Sequence, residues 1–248
     1  MSQQPARSSL RGIPEPGDPF LLGVNYWPRR KAMYWWKQFD PGEVREEFAF
    51  IRDVGIGYVR FFLLWEDFQP EPDRVAPERL RDLETVASIA SDARLKLEPT
   101  LFCGHMSGPN WAPAWLLSDQ PASPGDRPLV SGGRVVDRAV RNIYVEPEVI
   151  AAEERLVRAV AQRLAGHPAL WAWSLGNEPD LFCQPPTSAD GQAWAKRMVD
   201  LIHEVDPGCP VTIGLHTADI ERDVGLRADL LAEVKIGRAS CRERVSLV

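Results

Sequence analysis

Apolar residues in this chain fall into short runs that alternate with stretches of helical period. The first run, Phe20-Leu21-Leu22-Gly23-Val24-Asn25-Tyr26-Trp27, has strand length and ends in polar and aromatic groups. Asp40, followed by Pro41 and by Glu43 three residues after the cap, opens a helix with Val44, Phe48 and Ile51 at helical spacing, and Gly55 stops it. The stretch 57–65 is nearly continuous apolar sequence, as expected of a parallel strand covered on both faces. Pro77 and Glu78 open a second helix with Leu80, Leu83, Val86 and Ile89 on one face, and a third strand is predicted over 95–102. A helix over 148–165 carries Ile150, Leu156, Val157, Val160 and Leu164 as its stripe. The fourth strand, 169–175, leads into Gly176-Asn177-Glu178-Pro179-Asp180. A helix over 190–205, a fifth strand over 211–215 ending at His216, and a helical segment over 219–234 complete the pattern. Only 103–145 breaks the rhythm: it is rich in Gly, Pro, Asp and Arg and too long for an ordinary connection, which predicts a functional or mobile loop.

Strand and helix alternating without reversal predict parallel pairing through right-handed crossovers, so the fold class is α/β. No glycine-rich phosphate-binding turn follows the first strand, which removes the main support for a nucleotide-binding open sheet. Polar and aromatic residues collect instead at C-terminal strand ends, where a (β/α)8 TIM barrel keeps its active site. Five β/α units fill 20–235, so the chain reads as the N-terminal part of such a barrel, about its first five units. An open piece of this kind, with unpaired edges on its first and fifth strands, is expected to be poorly soluble and inactive.

Composition narrows the chemistry. Apolar residues make up 44% of the 248, and 29 Lys plus Arg against 35 Asp plus Glu give a net charge of −6, which argues against nucleic acid or anionic lipid as partners. Cys103, Cys183, Cys209 and Cys241 form no CxxC pair and show neither metal-ligand spacing nor a dense bridge framework. The polar, Pro-rich leader over 1–19 has no apolar signal region, and no run is long enough to span a bilayer; a cytoplasmic location follows as the expectation. Residues 236–248 leave the helical pattern, and Ile236-Gly237-Arg238-Ala239-Ser240-Cys241-Arg242-Glu243-Arg244-Val245 looks like the translation of a sequencing-adapter read-through. That tail is expected to be non-native, the alternative being a real basic tail.

Alternation along the fourth strand puts Leu170, Ala172, Ser174, Gly176 and Glu178 on one face, and Trp171, Trp173 and Leu175 on the other. Small residues suit a crowded barrel interior, and a carboxyl group rising from its mouth among aromatic walls should have its pKa raised, as a proton donor needs. A Glu capping the next helix is the alternative. Arg60 lies amid Tyr58, Phe62 and Leu64 on one face of its strand, so an inward guanidinium calls for a carboxylate partner, either a catalytic group or a structural ion pair.

Trp173-Ser174-Leu175-Gly176-Asn177-Glu178-Pro179 resembles the fourth-strand signature of the clan A glycoside hydrolases, which include cellulases, β-mannanases and β-galactosidases. The order of Asn25-Tyr26-Trp27, Val59-Arg60, His105 and Asn177-Glu178 across successive strand ends is similar to family 5 of that clan, over roughly residues 20 to 216. The resemblance implies a carbohydrate partner and a retaining hydrolysis by two carboxyl groups about 5 to 5.5 Å apart, for which neither metal nor organic cofactor is required. It implies Glu178 as general acid/base, Asn177 on the sugar 2-hydroxyl, Arg60 near the nucleophile and His105 lining the cleft. The clan's nucleophile is a Glu on the seventh strand, which this sequence does not reach. Trp27, Trp65, Trp111 and Trp115 are candidate sugar-stacking walls, each equally readable as packing, and Asn25 and His216 are further cleft candidates. Ala112-Pro113-Ala114-Trp115-Leu116 also resembles an element of the β-galactosidase branch. A non-catalytic carbohydrate-binding barrel and a phosphosugar lyase or isomerase are the competing readings.

Overall fold

The computed structural model describes residues 21–106, 108–221, 225–234 and 237–240, the last of these as backbone. The leader, and all of the tail except Gly237–Ser240, lie outside the described residues.

In chain order the elements are β1 (Gly23–Tyr26), α1 (Pro41–Asp53), β2 (Tyr58–Leu64), the one-turn α2 (Trp65–Phe68), α3 (Pro77–Asp92) and β3 (Lys96–Cys103). There follow β4 (Asn110–Trp111), β5 (Leu129–Ser131), β6 (Arg134–Val136), α4 (Pro147–Leu164), β7 (Trp173–Asn177), α5 (Ser188–Val205) and β8 (Val211–Leu215). Two short helices, α6 (Ala218–Glu221) and α7 (Ala228–Glu233), precede β9 (Gly237–Ser240). The main sheet runs β1-β2-β3-β7-β8-β9, all parallel, and each long helix packs on the next, α1 on α3, α3 on α4 and α4 on α5. Five β/α units in this order, helices outside and strands inside, are those of a partial TIM barrel.

Local chemistry explains the best-defined elements. Asp40 Oδ1 accepts from the Gly42 N–H at 2.8 Å, Pro41 occupies the first helical position, and Val44 and Phe48 face the core. Below this helix Trp35, Trp36, Phe39, Phe61 and Phe68 form an aromatic cluster, pinned where Trp36 Nε1 donates to the Phe62 carbonyl at 2.7 Å.

Several expectations are corrected. The stretch 103–145 is not merely a loop, since β4, β5 and β6 build a separate three-stranded sheet within it. The fourth strand begins at Trp173 rather than 169, because the chain is still turning after Pro168, with Leu170 N–H bonded to the His167 carbonyl. Trp171, ahead of the strand, packs edge-on against Tyr58, at 4.6 Å between centroids. The helix expected over 219–234 is broken by Gly225, whose φ of 64° only glycine adopts freely. The outer edge of β8, expected to be bare, is paired in parallel with β9.

Candidate active site

Sheet register brings the site together. Asn25 on β1 lies beside Arg60 on β2, Thr100 on β3 beside Ser174 on β7, and Ser174 beside Thr212 on β8. Between Ser174 and Asn177 the pairing slips, and Glu178 follows in the left-handed region at φ 46°. A non-glycine residue there costs about 1–2 kcal/mol, and bonds on either side hold it: Glu178 N–H donates to the Gly214 carbonyl at 2.9 Å, and Leu181 N–H to the Glu178 carbonyl at 2.9 Å. Simple alternation therefore fails at this strand end, and Asn177 and Glu178 both turn toward the residues gathered at the barrel mouth.

Arg60 is buried and holds that mouth together. Its Nε donates to Thr100 Oγ1 at 3.0 Å, Nη1 to Asn177 Oδ1 at 3.3 Å and Nη2 to the Gly176 carbonyl at 3.2 Å, while the guanidinium lies 5.0 Å from the centre of the Phe62 ring. These three acceptors are neutral oxygens. Asn177 in turn donates from Nδ2 to the His105 carbonyl at 3.1 Å.

The Glu178 side chain is 19% exposed, and its Oε2 lies 3.5 Å from His105 Nε2. The other imidazole nitrogen, Nδ1, is 2.8 Å from Asn110 Oδ1, and Asn110 Nδ2 donates to the Leu181 carbonyl at 3.1 Å. Burial holds the His105 imidazole below its ordinary pKa, against the opposing pull of Asn110 and Glu178. Beyond Glu178, burial raises the Asp180 carboxyl, and burial together with the Asp180 charge pushes Asp219 up to about 7; Asp219 accepts from the His216 N–H at 3.0 Å. His216 thus borders the site, close enough to His105 to disfavour its protonation.

The tryptophans divide. Trp27 is half-buried and stacks on Phe62 at 4.7 Å, beside Arg60. Trp65, at 0% exposure, is enclosed: its Nε1 donates to Gln69 Oε1, and Trp115 donates to the Gln69 carbonyl at 2.9 Å while meeting the Trp65 ring edge-on. Both rings pack around Gln69, Trp65 fully buried and Trp115 half-buried. Trp111 is also buried, within β4. Asn25 is half-buried. Thr100, Asn110, Asp180 and Asp219 were not singled out from the sequence: Thr100 meets Arg60 40 residues away, and Asn110, though near His105 in the chain, stands in a long loop with no period to mark it. On the far side of Asn110 a cleft of about 390 Å³ is lined by Arg127, Asp180, Phe182 and Gln184. Among the described residues no group of three or more His, Cys, Asp or Glu is placed to hold a metal ion, and no helix is long and apolar enough to cross a membrane.

No family model matches the chain. A GH5_18 structure from Streptomyces cattleya, in complex with GlcNAc, superposes with a TM-score of 0.68 at 25% identity, covering 80% of this chain and 45% of that one. The exo-β-1,4-mannosidase Op5Man5 from Opitutaceae bacterium strain TAV5 superposes with a TM-score of 0.69 at 26% identity, over 88% of this chain and 36% of that one. The β-galactosidase bgaB of Geobacillus kaustophilus is 32% identical over 101 residues, 38% of this chain and 14% of that protein. The chain thus spans less than half the length of these solved proteins and a small part of the β-galactosidase. In fold, the chain is similar to the family 5 glycoside hydrolases.

Proposed function

We propose that these residues form the acid/base half of a retaining glycoside hydrolase acting on β-linked sugars. The observation that carries the reading is the Asn177-Glu178 pair at the end of β7, with Glu178 facing His105 and Asn177 held by Arg60. Glu178 gives its proton to the glycosidic oxygen as the bond to the anomeric carbon breaks, and the aglycone leaves as an alcohol. A second carboxylate, from a later barrel strand of a longer protein, forms the glycosyl ester. Water then cleaves that ester while Glu178 takes back a proton. Asn177 bonds the sugar 2-hydroxyl, and Trp27 offers its ring to the sugar.

The substrate class is β-hexosides, with β-mannosides first. The Op5Man5 structure is an exo-β-1,4-mannosidase, and a variant of the Streptomyces cattleya protein was solved with Manβ1-4GlcNAc. The test is a panel of aryl β-mannosides, β-galactosides and β-glucosides given to the full-length protein. Glu178→Gln is expected to lower kcat/KM by about 10²–10⁴-fold on substrates with poor leaving groups. Unchanged turnover in that variant removes Glu178 from the chemistry.

A further inference from the structure

We infer that Asn110 is a positioning residue that fixes the tautomer of His105, so that the imidazole turns a bare Nε2 toward Glu178 and accepts the hydrogen bond of its protonated carboxyl. The proton on Nδ1 follows from hydrogen-bond accounting and the bare Nε2 from the burial that disfavours a second proton; the consequence for catalysis rests on the acid/base reading of Glu178.

A backbone carbonyl only accepts, so the Asn110 atom 3.1 Å from the Leu181 oxygen is the amide nitrogen. Its other terminal atom, 2.8 Å from His105 Nδ1, is then the amide oxygen, which also only accepts. The proton between them must sit on Nδ1. A neutral imidazole carries one N–H, and burial keeps His105 neutral, so Nε2 is left with its lone pair. That lone pair lies 3.5 Å from Glu178 Oε2. Against a carboxylate the contact sets lone pair on lone pair, whereas a proton on Glu178 lets the pair close to an O–H···N hydrogen bond. The arrangement therefore matches the acid that must protonate a leaving group. Other charged or titratable groups acting on the imidazole are Arg127 from the long loop and His216 from the end of β8, and both oppose a second imidazole proton.

Asn110 is built to hold this orientation. It is 7% exposed, its N–H donates to the Pro128 carbonyl at 2.8 Å, it bridges His105 across the 105–110 turn, and Trp111 N–H closes that turn on the Gly104 carbonyl at 2.7 Å.

Two-bond ¹H–¹⁵N NMR on the full-length enzyme, with His105 assigned from His105→Gln, is expected to show a neutral ring protonated at Nδ1 near pH 7. Asn110→Leu removes the acceptor; Nε2–H becomes available to an ionised Glu178, and the upper limb of the kcat/KM pH profile moves down by about one pH unit. Asn110→Asp keeps an acceptor, so there the Nδ1–H pattern persists while the imidazole titrates at higher pH. That variant keeps the proposal testable if Asn110→Leu does not fold. An Nε2-protonated His105 in the wild type overturns the assignment, as does an Asn110→Leu protein whose tautomer and pH limb are unmoved. An Nδ1-protonated His105 in a protein that hydrolyses no glycoside overturns the proposed function and leaves the tautomer standing.

Discussion

Arg60 Nη1 donates to Asn177 Oδ1 at 3.3 Å, joining β2 to the end of β7 across the intervening β3. Because Asn177 Nδ2 is engaged by the His105 carbonyl, the amide cannot flip without setting its nitrogen against the guanidinium. Arg60 thus fixes which face of Asn177 is presented beside Glu178.

Replacing Arg60 with Met removes the donors to Thr100, Asn177 and Gly176 at once. Stranding those buried acceptors is expected to cost about 1.5–3 kcal/mol, read as a shift in urea midpoint, and to lower kcat/KM at least tenfold. Arg60→Lys should recover little, since an ammonium cannot reproduce a planar fork directed at oxygens in three directions. Full activity in Arg60→Lys counts against the positioning role.

Gln69 offers a second test, away from the chemistry. Its Nε2 donates to the Pro72 carbonyl at 3.1 Å and the Ala152 carbonyl at 2.8 Å, while its oxygen accepts from Trp65. Gln69→Leu keeps the volume but leaves these groups unpaired in a dry interior, at a cost of about 2–4 kcal/mol. Chemical denaturation measures it. Activity per folded molecule should hold, and its collapse at unchanged stability would place Trp65 and Trp115 in the cleft after all.

How far the sequence discloses this site depends on how local each signal is. Asp40, Pro41 and Glu43 declare a helix start within four residues, and the apolar run of β2 declares a covered strand, so the barrel order is readable. Asn177 and Glu178 are readable because one ends a strand and the other follows it directly. A two-residue strand such as β4 has no period to detect, and the slip between Ser174 and Asn177 is set by β8, far along the chain. Trp65 misleads for a related reason: it stands where a strand-end aromatic would, but the backbone turns into α2 at that residue and carries the ring into the core. Asn110 is one polar residue among many in a long loop until the fold places it against His105.

The barrel interior should make stability depend on pH through Glu98. This side chain on β3 is 2% exposed, burial pushes its pKa up to about 7, and the Thr212 hydroxyl bonded to it pulls weakly the other way. An unfolded Glu titrates near about 4.3, so between these values the folded chain binds the extra proton. The contribution is full below about pH 4 and is lost as pH rises toward 7, by at most about 1.4 kcal/mol per pH unit. Glu98→Gln keeps the shape without the titration, and its thermal midpoint should fall less between pH 5 and pH 8 than that of the wild type. Equal falls in both proteins would show that Glu98 is ionised in the fold.

Gly104 tests how tightly the His105 side of the site is held against the turn that follows Glu178. A Cβ at Gly104 would sit 2.6 Å from two atoms of the Phe182 ring and 2.8 Å from a third, a clash with the ring itself that a small rotation cannot relieve. Phe182 closes the 179–182 turn, whose Leu181 carbonyl holds Asn110 and, through it, His105. Gly104→Ala should therefore push that turn away from His105 and misplace Glu178 against its partner. A displacement near 1 Å in a catalytic arrangement costs about 10²-fold, so kcat is expected to fall by that order while KM changes little. Phe182→Leu in the same chain gives the added methyl group room and should restore part of the loss; a double variant no better than Gly104→Ala would mean that the turn is not positioned through Phe182.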